Sequence, residues 1–278
     1  MIKIKCLNVG CGGKYHSDWI NIDMKPLSPE VIDVDLYQGI PFPDNTFDVV
    51  YHSQVLEHFP KERALGFISE CYRVLKPNGI IRVVVPDLEN IVDEYKRILN
   101  ECVDKPSSVN EANYDWIMLE LFDQIVRNVS GGQMAEFLMQ PQMINENYVI
   151  DRIGFVAKDI RRSVLNQNQN IKVKKTYKGT SIYKFVRRLL RPILRLLIKD
   201  KNISKISKVS DFRNGGEIHQ WMYDRFSITR LLKNAGFNQV TIKNPYSSAI
   251  LNWDSYELDV KGDIVYDPNS LFIEAVKV

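Results

Sequence analysis

The stretch "LNVGCGGKYHSDWINID", residues 7–23, joins a short apolar strand to a glycine cluster and then to a second strand that ends in an acid. Glycine allows the tight turn after the first strand and a close approach of the backbone to a ligand. A dinucleotide-binding GxGxxG loop would place a third glycine where this chain has Tyr15. Asp23 ends the second strand, where an acid can accept hydrogen bonds from a ribose diol. The stretch therefore predicts a nucleoside site without a pyrophosphate.

The connection between these two strands is unusually short. Only Lys14–Asp18 separate Gly13 from Trp19, whereas a parallel crossover with its helix normally takes about a dozen residues. We expect a turn in place of that helix. One side of the ligand cleft then stays open unless another segment covers it.

Short apolar strands alternate with helical patterns over the first hundred residues, and two more strands follow near the end. Residues 61–75 have helical spacing, and "SITRLLKNAGF", residues 227–237, predicts a helix with Ser227 as N-cap and Gly236 at its end. This alternation predicts an α/β fold with a mainly parallel sheet. The predicted strands are Ile2–Val9, Trp19–Asp23, Val31–Val34, Asp48–His52, Ile80–Val85, Gln239–Lys243 and Leu271–Val276.

The middle of the chain has a different character. Residues 104–214 are polar and rich in Asn, and they lack the alternation of short apolar runs that is typical of strands. They predict a helical insertion before the last two strands. We therefore divide the chain into residues 1–103, which begin the sheet and hold the nucleoside, the insertion 104–214, and residues 215–278, which complete the sheet.

Charge is unevenly distributed along the 278 residues, whose net charge is +3. Residues 158–213 contain 17 Lys or Arg and three acids, so the rest of the chain is net acidic. Within this segment, "YKFVRRLLRPILRLLIKDK", Tyr183–Lys201, has the pattern of an amphipathic helix. One interpretation is peripheral contact with an anionic membrane surface. The other is a lid or the contact helix of a homodimer.

The remaining composition favours a cytoplasmic protein, at most peripheral to the inner membrane surface. The four cysteines form no CxxC pair and no dense framework, as expected for reduced thiols. No apolar run reaches the roughly 18 residues of a transmembrane helix, and residues 1–30 lack the apolar core of a signal peptide.

Two further motifs indicate a family. "DVDLYQGIPFPDNTFDVVYHSQVLEHF", residues 33–59, and "CYRVLKPNGIIRVVVPD", residues 71–87, follow the glycine cluster in order. With these motifs and "LLKNAGF", the sequence resembles class I S-adenosylmethionine-dependent methyltransferases. The resemblance implies a Rossmann-like sheet of seven strands, S-adenosylmethionine as cofactor and S-adenosylhomocysteine as product.

The same resemblance implies the cofactor contacts. The glycine cluster would lie beside the methionine part, Asp23 would bind the ribose, Asp35 and Leu36 would flank the adenine, and His52 to Gln54 would border the sulfonium. The full implied set is Gly10, Cys11, Gly12, Gly13, Asp23, Met24, Asp35, Leu36, His52, Ser53, Gln54 and His58.

A narrower resemblance concerns the acceptor. Residues 123–154, 215–237 and 252–260 are similar to a methyltransferase subgroup associated with bacterial surface-glycan synthesis. This implies O-methylation of a sugar, a nucleotide-sugar or a related hydroxyl compound. Two alternatives stay open: a non-catalytic cofactor-binding module, and a nucleic-acid methyltransferase that uses the basic insertion. Base-amino methyltransferases carry an Asn/Asp-Pro-Pro-aromatic motif where this chain has Ser53-Gln54-Val55, which disfavours the second.

A hydroxyl acceptor benefits from a base that takes its proton. The first candidate is His219, in the polar and aromatic stretch "GEIHQWMYDR", and the second is His58; the alternative for each is a structural histidine. Aromatic faces stack on sugars, and arginine grips phosphate. We predict no metal site, because His52 and His58 are six residues apart and do not share a helical face. The candidate substrate-binding residues are Arg127, Arg152, Gln220, Trp221, Tyr223 and Arg225.

Overall fold

The computed structural model describes residues 4–174, 209–213 and 215–278, with side chains through residue 166 in the first range. Its centre is a seven-stranded sheet in the order β3-β2-β1-β4-β5-β9-β6. Strands β1 to β5 are parallel, whereas β9 is antiparallel to both β5 and β6. The strands are β1 Cys6–Val9, β2 Ile20–Asp23, β3 Ile32–Asp33, β4 Phe47–Ser53, β5 Leu75–Pro86, β6 Phe237–Lys243, β7 Val260–Lys261, β8 Ile264–Val265 and β9 Ser270–Lys277.

All seven predicted strands are present in this sheet, and β7 and β8 form a separate two-stranded hairpin. The predicted α/β class and mainly parallel sheet are confirmed. The helices are α1 Lys61–Val74, α2 Leu88–Asp104, α3 Ser108–Val126, α4 Gly132–Leu138, α5 Glu146–Ile153, α6 Phe155–Lys174 and α7 Arg225–Asn234. Among the described residues, six helices lie between β5 and β6; four of them, α3 to α6, fall within the predicted insertion 104–214.

Helix α7 begins earlier than its sequence suggested. Asp224 is the N-cap, and its side chain accepts hydrogen bonds from the backbone N–H groups of Phe226 and Ser227. Ser227 is the third helical residue, and its hydroxyl accepts from the Asp224 N–H, so the pair forms a capping box. The prediction of Ser227 as N-cap was wrong. Gly236, with φ of +103°, follows the helix end as predicted.

Two apolar layers cover the sheet. One face packs against α1 and α7 through side chains such as Ile68 and Ile228. On the other face, Trp19 and Tyr51 pack with Trp253 and with Ile250 from the segment after β6. This second layer lies on the side where the first crossover helix is missing.

No helix forms between Gly10 and Trp19, so the expectation of a turn is confirmed. The turn is held by the late segment instead. Lys14 Nζ lies 2.6 Å from a carboxylate oxygen of Asp267, and the His16 ring meets Tyr256 edge-on at 5.2 Å. Residues 250–268 therefore cover the side that the short connection leaves open.

Backbone hydrogen bonds hold the stretch around His219 against helix α3 and against the turn after β4. The His219 N–H donates to the Gln124 carbonyl at 2.9 Å, and the Gln220 N–H donates to the Glu57 carbonyl at 2.7 Å. These bonds connect the residue 217–221 stretch to both α3 and the loop after β4. Within the described residues, no helix is long and apolar enough to cross a bilayer. The amphipathic segment Tyr183–Lys201 lies outside the described residues.

His52 makes folding sensitive to acid. Its ring is fully buried on β4 against Phe67, and burial lowers its pKa to about 3. Below pH 6.5 the unfolded chain gains a proton at this histidine and the folded chain does not, so stability falls as pH decreases. Between pH 7.5 and 5.5, we expect wild-type protein to lose about 1.4 kcal/mol more unfolding free energy than His52→Leu. Urea unfolding at both pH values measures this; equal losses would contradict it.

Candidate functional site

A cleft of about 570 Å³ lies at the carboxyl ends of the parallel strands. Strand order reverses between β1 and β4, and open α/β sheets bind their ligands at such a point. The cleft is lined by Gly10, Gly12, Asp23, Met24, Lys25, Leu36, Tyr37, Gln54, Val55, His58, Phe59, Gln124, Arg127, Gly215, Gly216, Glu217 and His219.

The glycine loop shapes one wall of this cleft. Gly10 has φ of +65°, and a Cβ there would lie 2.6 Å from Cγ2 of Val55, so no other residue fits. The N–H groups of Gly10 and Cys11 both donate to the Ile22 carbonyl, at 2.8 and 3.2 Å. The loop is thereby fixed to β2 immediately before Asp23.

Asp23 is positioned by backbone donors on both sides. Its Oδ2 accepts from the Gly12 N–H at 2.8 Å, and its Oδ1 accepts from the Lys25 N–H at 2.7 Å. Each carboxylate oxygen can accept more than one hydrogen bond. A half-buried carboxylate held in this way on the cleft wall can bind the two hydroxyls of a ribose.

Seven of the predicted cofactor residues line the cleft: Gly10, Gly12, Asp23, Met24, Leu36, Gln54 and His58. Five do not: Cys11, Gly13, Asp35, His52 and Ser53. Asp35 accepts from the Tyr37 N–H at 3.0 Å and caps a short 3₁₀ turn, while the His52 ring is sealed in the core. Neither side chain is among those that line the cleft.

A second, smaller cavity of about 110 Å³ adjoins the cleft. We call it the inner cavity. Gln54, Gln124 and His219 line both spaces, so the two meet at these side chains. The other residues of the inner cavity are Pro86, Ile91, Glu120, Met134, Arg152, Ile153, Met222, Asp267, Asn269 and Ser270.

Gln54 has a strained backbone at this boundary. Its φ is +56°, which is uncommon for a residue with a Cβ and is often found at functional sites. Its N–H donates to the Val84 carbonyl at 2.9 Å, and its amide nitrogen donates to the Ser270 hydroxyl at 2.9 Å. These bonds to β5 and β9 hold the residue in place between the two spaces.

Three titratable side chains, Glu57, His58 and His219, cluster at the same boundary. Burial lowers the pKa of His58. Burial, with the nearby charges of His58 and Arg127, lowers the pKa of His219 well below its usual value. Burial also raises the pKa of Glu57 to about 8. Both imidazoles are therefore neutral at pH 7 and retain a lone pair that can take a proton.

The predicted substrate residues are divided between the cavities and the surface. Arg127 lines the cleft, and its Nη2 lies 3.3 Å from Glu217. Arg152 lines the inner cavity, where its guanidinium pairs with Glu120 at 2.6 Å.

The other four lie outside both linings. Gln220 donates to the His58 carbonyl, Trp221 is 39% exposed, and Arg225 pairs with Glu89 at 3.0 Å. The hydroxyl of Tyr223 is buried and finds no hydrogen-bond partner among the described residues.

Several lining residues were absent from the sequence prediction. Tyr37, Phe59 and Lys25 complete the cleft near the glycine loop, and Gln124 connects it to the inner cavity. The adjacent glycines at 215 and 216 were a usable signal, since they precede His219 by a few residues. Nothing in the sequence around Gln124 indicates its position.

Comparisons with known proteins identify methyltransferases as similar to this chain. Residues 7–83 match the family described as "Methyltransferase domain". A stretch of 58 residues is 41% identical to a probable S-adenosylmethionine-dependent methyltransferase of Mycolicibacterium smegmatis, covering 19% of this chain and 22% of that protein. A stretch of 116 residues is 24% identical to phosphoethanolamine N-methyltransferase of Plasmodium falciparum, covering 39% of this chain and 40% of that protein.

The chain thus spans less than half the length of these curated relatives. Among solved structures, an S-adenosylmethionine-dependent methyltransferase from Archaeoglobus fulgidus aligns over 99% of this chain and 86% of its own, with 13% identity and a TM-score of 0.38. The matched segment, 7–83, contains the glycine loop, Asp23 and β4. Residues 7–83 are therefore similar to the methyltransferase domain family, and the cofactor that this similarity indicates is S-adenosylmethionine, with S-adenosylhomocysteine as the product.

Proposed function

We propose that the protein transfers the methyl group of S-adenosylmethionine to a hydroxyl oxygen of a carbohydrate-type acceptor. The observation that carries this proposal is the position of His219, which lines both the cofactor cleft and the inner cavity. An acceptor that enters the inner cavity would meet the cofactor beside a neutral imidazole. That is the arrangement that a hydroxyl acceptor needs.

The proposed reaction requires that the acceptor oxygen lie in line with the methyl–sulfur bond and that one group accept the hydroxyl proton. The acceptor oxygen forms a bond to the methyl carbon as the carbon–sulfur bond of the sulfonium breaks, and S-adenosylhomocysteine leaves. Holding the two reactants in line supplies much of the rate. The hydroxyl proton passes to the imidazole of His219, whose low pKa keeps it unprotonated at neutral pH.

The lining of the inner cavity supports a polyhydroxyl acceptor. Amide groups of Gln54, Gln124 and Asn269, together with the Ser270 hydroxyl, supply both donors and acceptors. Arg152 is already neutralised by Glu120, so the cavity does not present an unpaired cation there. A neutral sugar ring suits these groups better than a phosphate would.

The first experiment is calorimetry with S-adenosylmethionine, S-adenosylhomocysteine and, as a control, NAD. We expect micromolar binding of the two sulfur nucleosides and none of NAD. Purified protein is then incubated with radiolabelled S-adenosylmethionine and a panel of nucleotide-sugars. Label transferred to an alkali-stable ether would support the proposal. Cofactor binding without transfer to any hydroxyl acceptor would favour a non-catalytic module.

Asp23→Ala tests the cofactor assignment. Each hydrogen bond from a ribose hydroxyl to a carboxylate is worth about 1.5–3 kcal/mol, so we expect S-adenosylhomocysteine affinity to fall at least about tenfold. Asp33→Ala is the matched control, because Asp33 pairs with Asp23 across β2 and β3 but is exposed. Calorimetry on both variants measures the difference. Normal binding by Asp23→Ala would contradict the ribose assignment.

A further inference from the structure

We propose that Glu57, His58 and His219 form a binding site for one divalent transition-metal ion, with Zn²⁺ as the representative. Each residue offers one ligand atom, and the three atoms lie within 4.8 Å of one another. Two imidazoles and a carboxylate are ligands that Zn²⁺ and Co²⁺ prefer in proteins. No metal-binding pattern is visible in the sequence, because His219 lies 161 positions beyond His58 in the chain.

The carboxyl group of Glu57 is the feature that requires a ligand. It is fully buried, and neither of its oxygens has a hydrogen-bond partner among the described residues. A buried carboxyl group without partners is costly, and nearly all such groups in folded proteins are satisfied. A cation held against both imidazoles would satisfy it.

His58 is oriented as a metal ligand normally is. Its Nδ1 lies 3.0 Å from the Ile218 carbonyl oxygen. A carbonyl oxygen only accepts hydrogen bonds, so Nδ1 carries the hydrogen and Nε2 keeps the lone pair. Ligating histidines commonly donate their other N–H to a backbone carbonyl in this way.

The spacing of the two rings also suits a shared ion. The ring centres of His58 and His219 are 4.9 Å apart, and the rings are inclined at 79°. Two imidazoles on one tetrahedral ion have ring centres about 5 Å apart, given metal–nitrogen distances of about 2.0–2.1 Å. Ligand atoms on one such ion lie about 3–4 Å apart, so side-chain rotation has to shorten the longest separation by about 1 Å.

The backbone holds this cluster together before any ion binds. The N–H groups of Gln220 and Trp221 both donate to the Glu57 carbonyl, at 2.7 and 3.2 Å. His219, the neighbour of Gln220, is therefore fixed beside the turn that carries Glu57 and His58. Three protein ligands leave a coordination position open, and both histidines line the cofactor cleft.

This inference changes how the acceptor would lose its proton. A hydroxyl bound at the open position has its pKa lowered by the ion. The hydroxyl proton then passes to solvent water, because His219 is a ligand and does not take it. Metal binding is measured without cofactor or acceptor, so its failure is distinct from a failure of the proposed methyl transfer.

The test uses untagged full-length protein dialysed against a chelator and titrated with Co²⁺. We expect about one Co²⁺ per chain, with visible absorption bands that exceed those of the hexaaqua ion, and displacement by Zn²⁺. Glu57→Gln and His219→Ala should each weaken Co²⁺ binding at least about tenfold. Thermal unfolding of wild type should shift upward with Zn²⁺, and that shift should be lost in both variants.

His16→Ala and Glu62→Gln are the matched controls. The first removes a histidine that packs against Tyr256, and the second neutralises an exposed acid at the start of α1. Both should bind Co²⁺ as wild type does. Glu57→Gln has nearly the same shape as wild type, and retained S-adenosylhomocysteine binding verifies its fold. An unchanged hexaaqua spectrum with wild type, or equal Co²⁺ affinity in Glu57→Gln, would overturn the proposal.

Discussion

Arg82→Met is expected to lower the free energy of unfolding by about 3–5 kcal/mol. Arg82 is fully buried on β5, and its guanidinium pairs with Asp259 and Glu274, each at 2.7 Å. It also donates to the carbonyls of Asn244 and Ser247, both at 3.0 Å. Methionine preserves much of the volume but leaves two buried carboxylates without their cation. Urea unfolding at pH 7 measures the loss.

Arg97→Met is the matched control for this loss. Arg97 also pairs with two acids, Glu94 and Glu101, but its side chain is half exposed on α2. Exposed ion pairs contribute about 0–1 kcal/mol, so this variant should stay close to wild type. Adding Asp259→Asn and Glu274→Gln to Arg82→Met should recover part of the stability. Similar unfolding free energies for Arg82→Met and Arg97→Met would contradict the buried network.

His219→Ala is expected to reduce turnover about 10²- to 10⁴-fold, the usual contribution of a positioned base. Its effect on S-adenosylhomocysteine affinity should be much smaller, because Asp23 and the glycine loop carry the nucleoside. The expectation is the same whether the imidazole takes the proton of the acceptor hydroxyl or holds an ion that lowers the pKa of that hydroxyl. The metal titration separates these two roles. Single-turnover methyl transfer measures the chemical step.

His16→Ala serves as the control for that experiment. The change is chemically identical, but the His16 ring packs on Tyr256 and lines neither the cleft nor the inner cavity. Its turnover should match wild type. Undiminished turnover by His219→Ala would remove this residue from the proposed chemistry and leave His58 as the alternative.

Local signals in the sequence were enough to predict the sheet and two residues that line the cleft, Gly10 and Asp23. The seven strands follow from short apolar runs, and Gly10 and Asp23 follow from a turn that only certain residues can make. The same signals could not separate Asp23, on the cleft wall, from Asp35, which binds the Tyr37 N–H. Both are acids close to the end of a strand. The difference is that Asp23 also accepts a hydrogen bond from the Gly12 N–H of the glycine loop, which holds its carboxylate on the cleft wall.

The inner cavity was beyond prediction for a different reason. Glu57 and His219 meet because Gln220 donates to the Glu57 carbonyl across more than 160 residues of chain. Gln124 joins them through the His219 N–H. Neither pairing leaves a periodic pattern in the sequence. Likewise, the His52 ring packs against Phe67 of α1, a contact that the sequence around His52 does not indicate.

The late segment that covers the short first connection also constrains when the protein can fold. Cys6 and Trp19 belong to the same apolar layer as Ile250 and Trp253, so contacts of very high sequence separation complete the packing around β1 and β2. Such contacts slow folding, because a long loop must close before they form. During synthesis the first strands leave the ribosome long before their cover does. We expect a chain arrested before residue 250 to bind chaperones and to be cleaved readily by proteases. Full resistance to proteolysis should appear only once β9 has been synthesised.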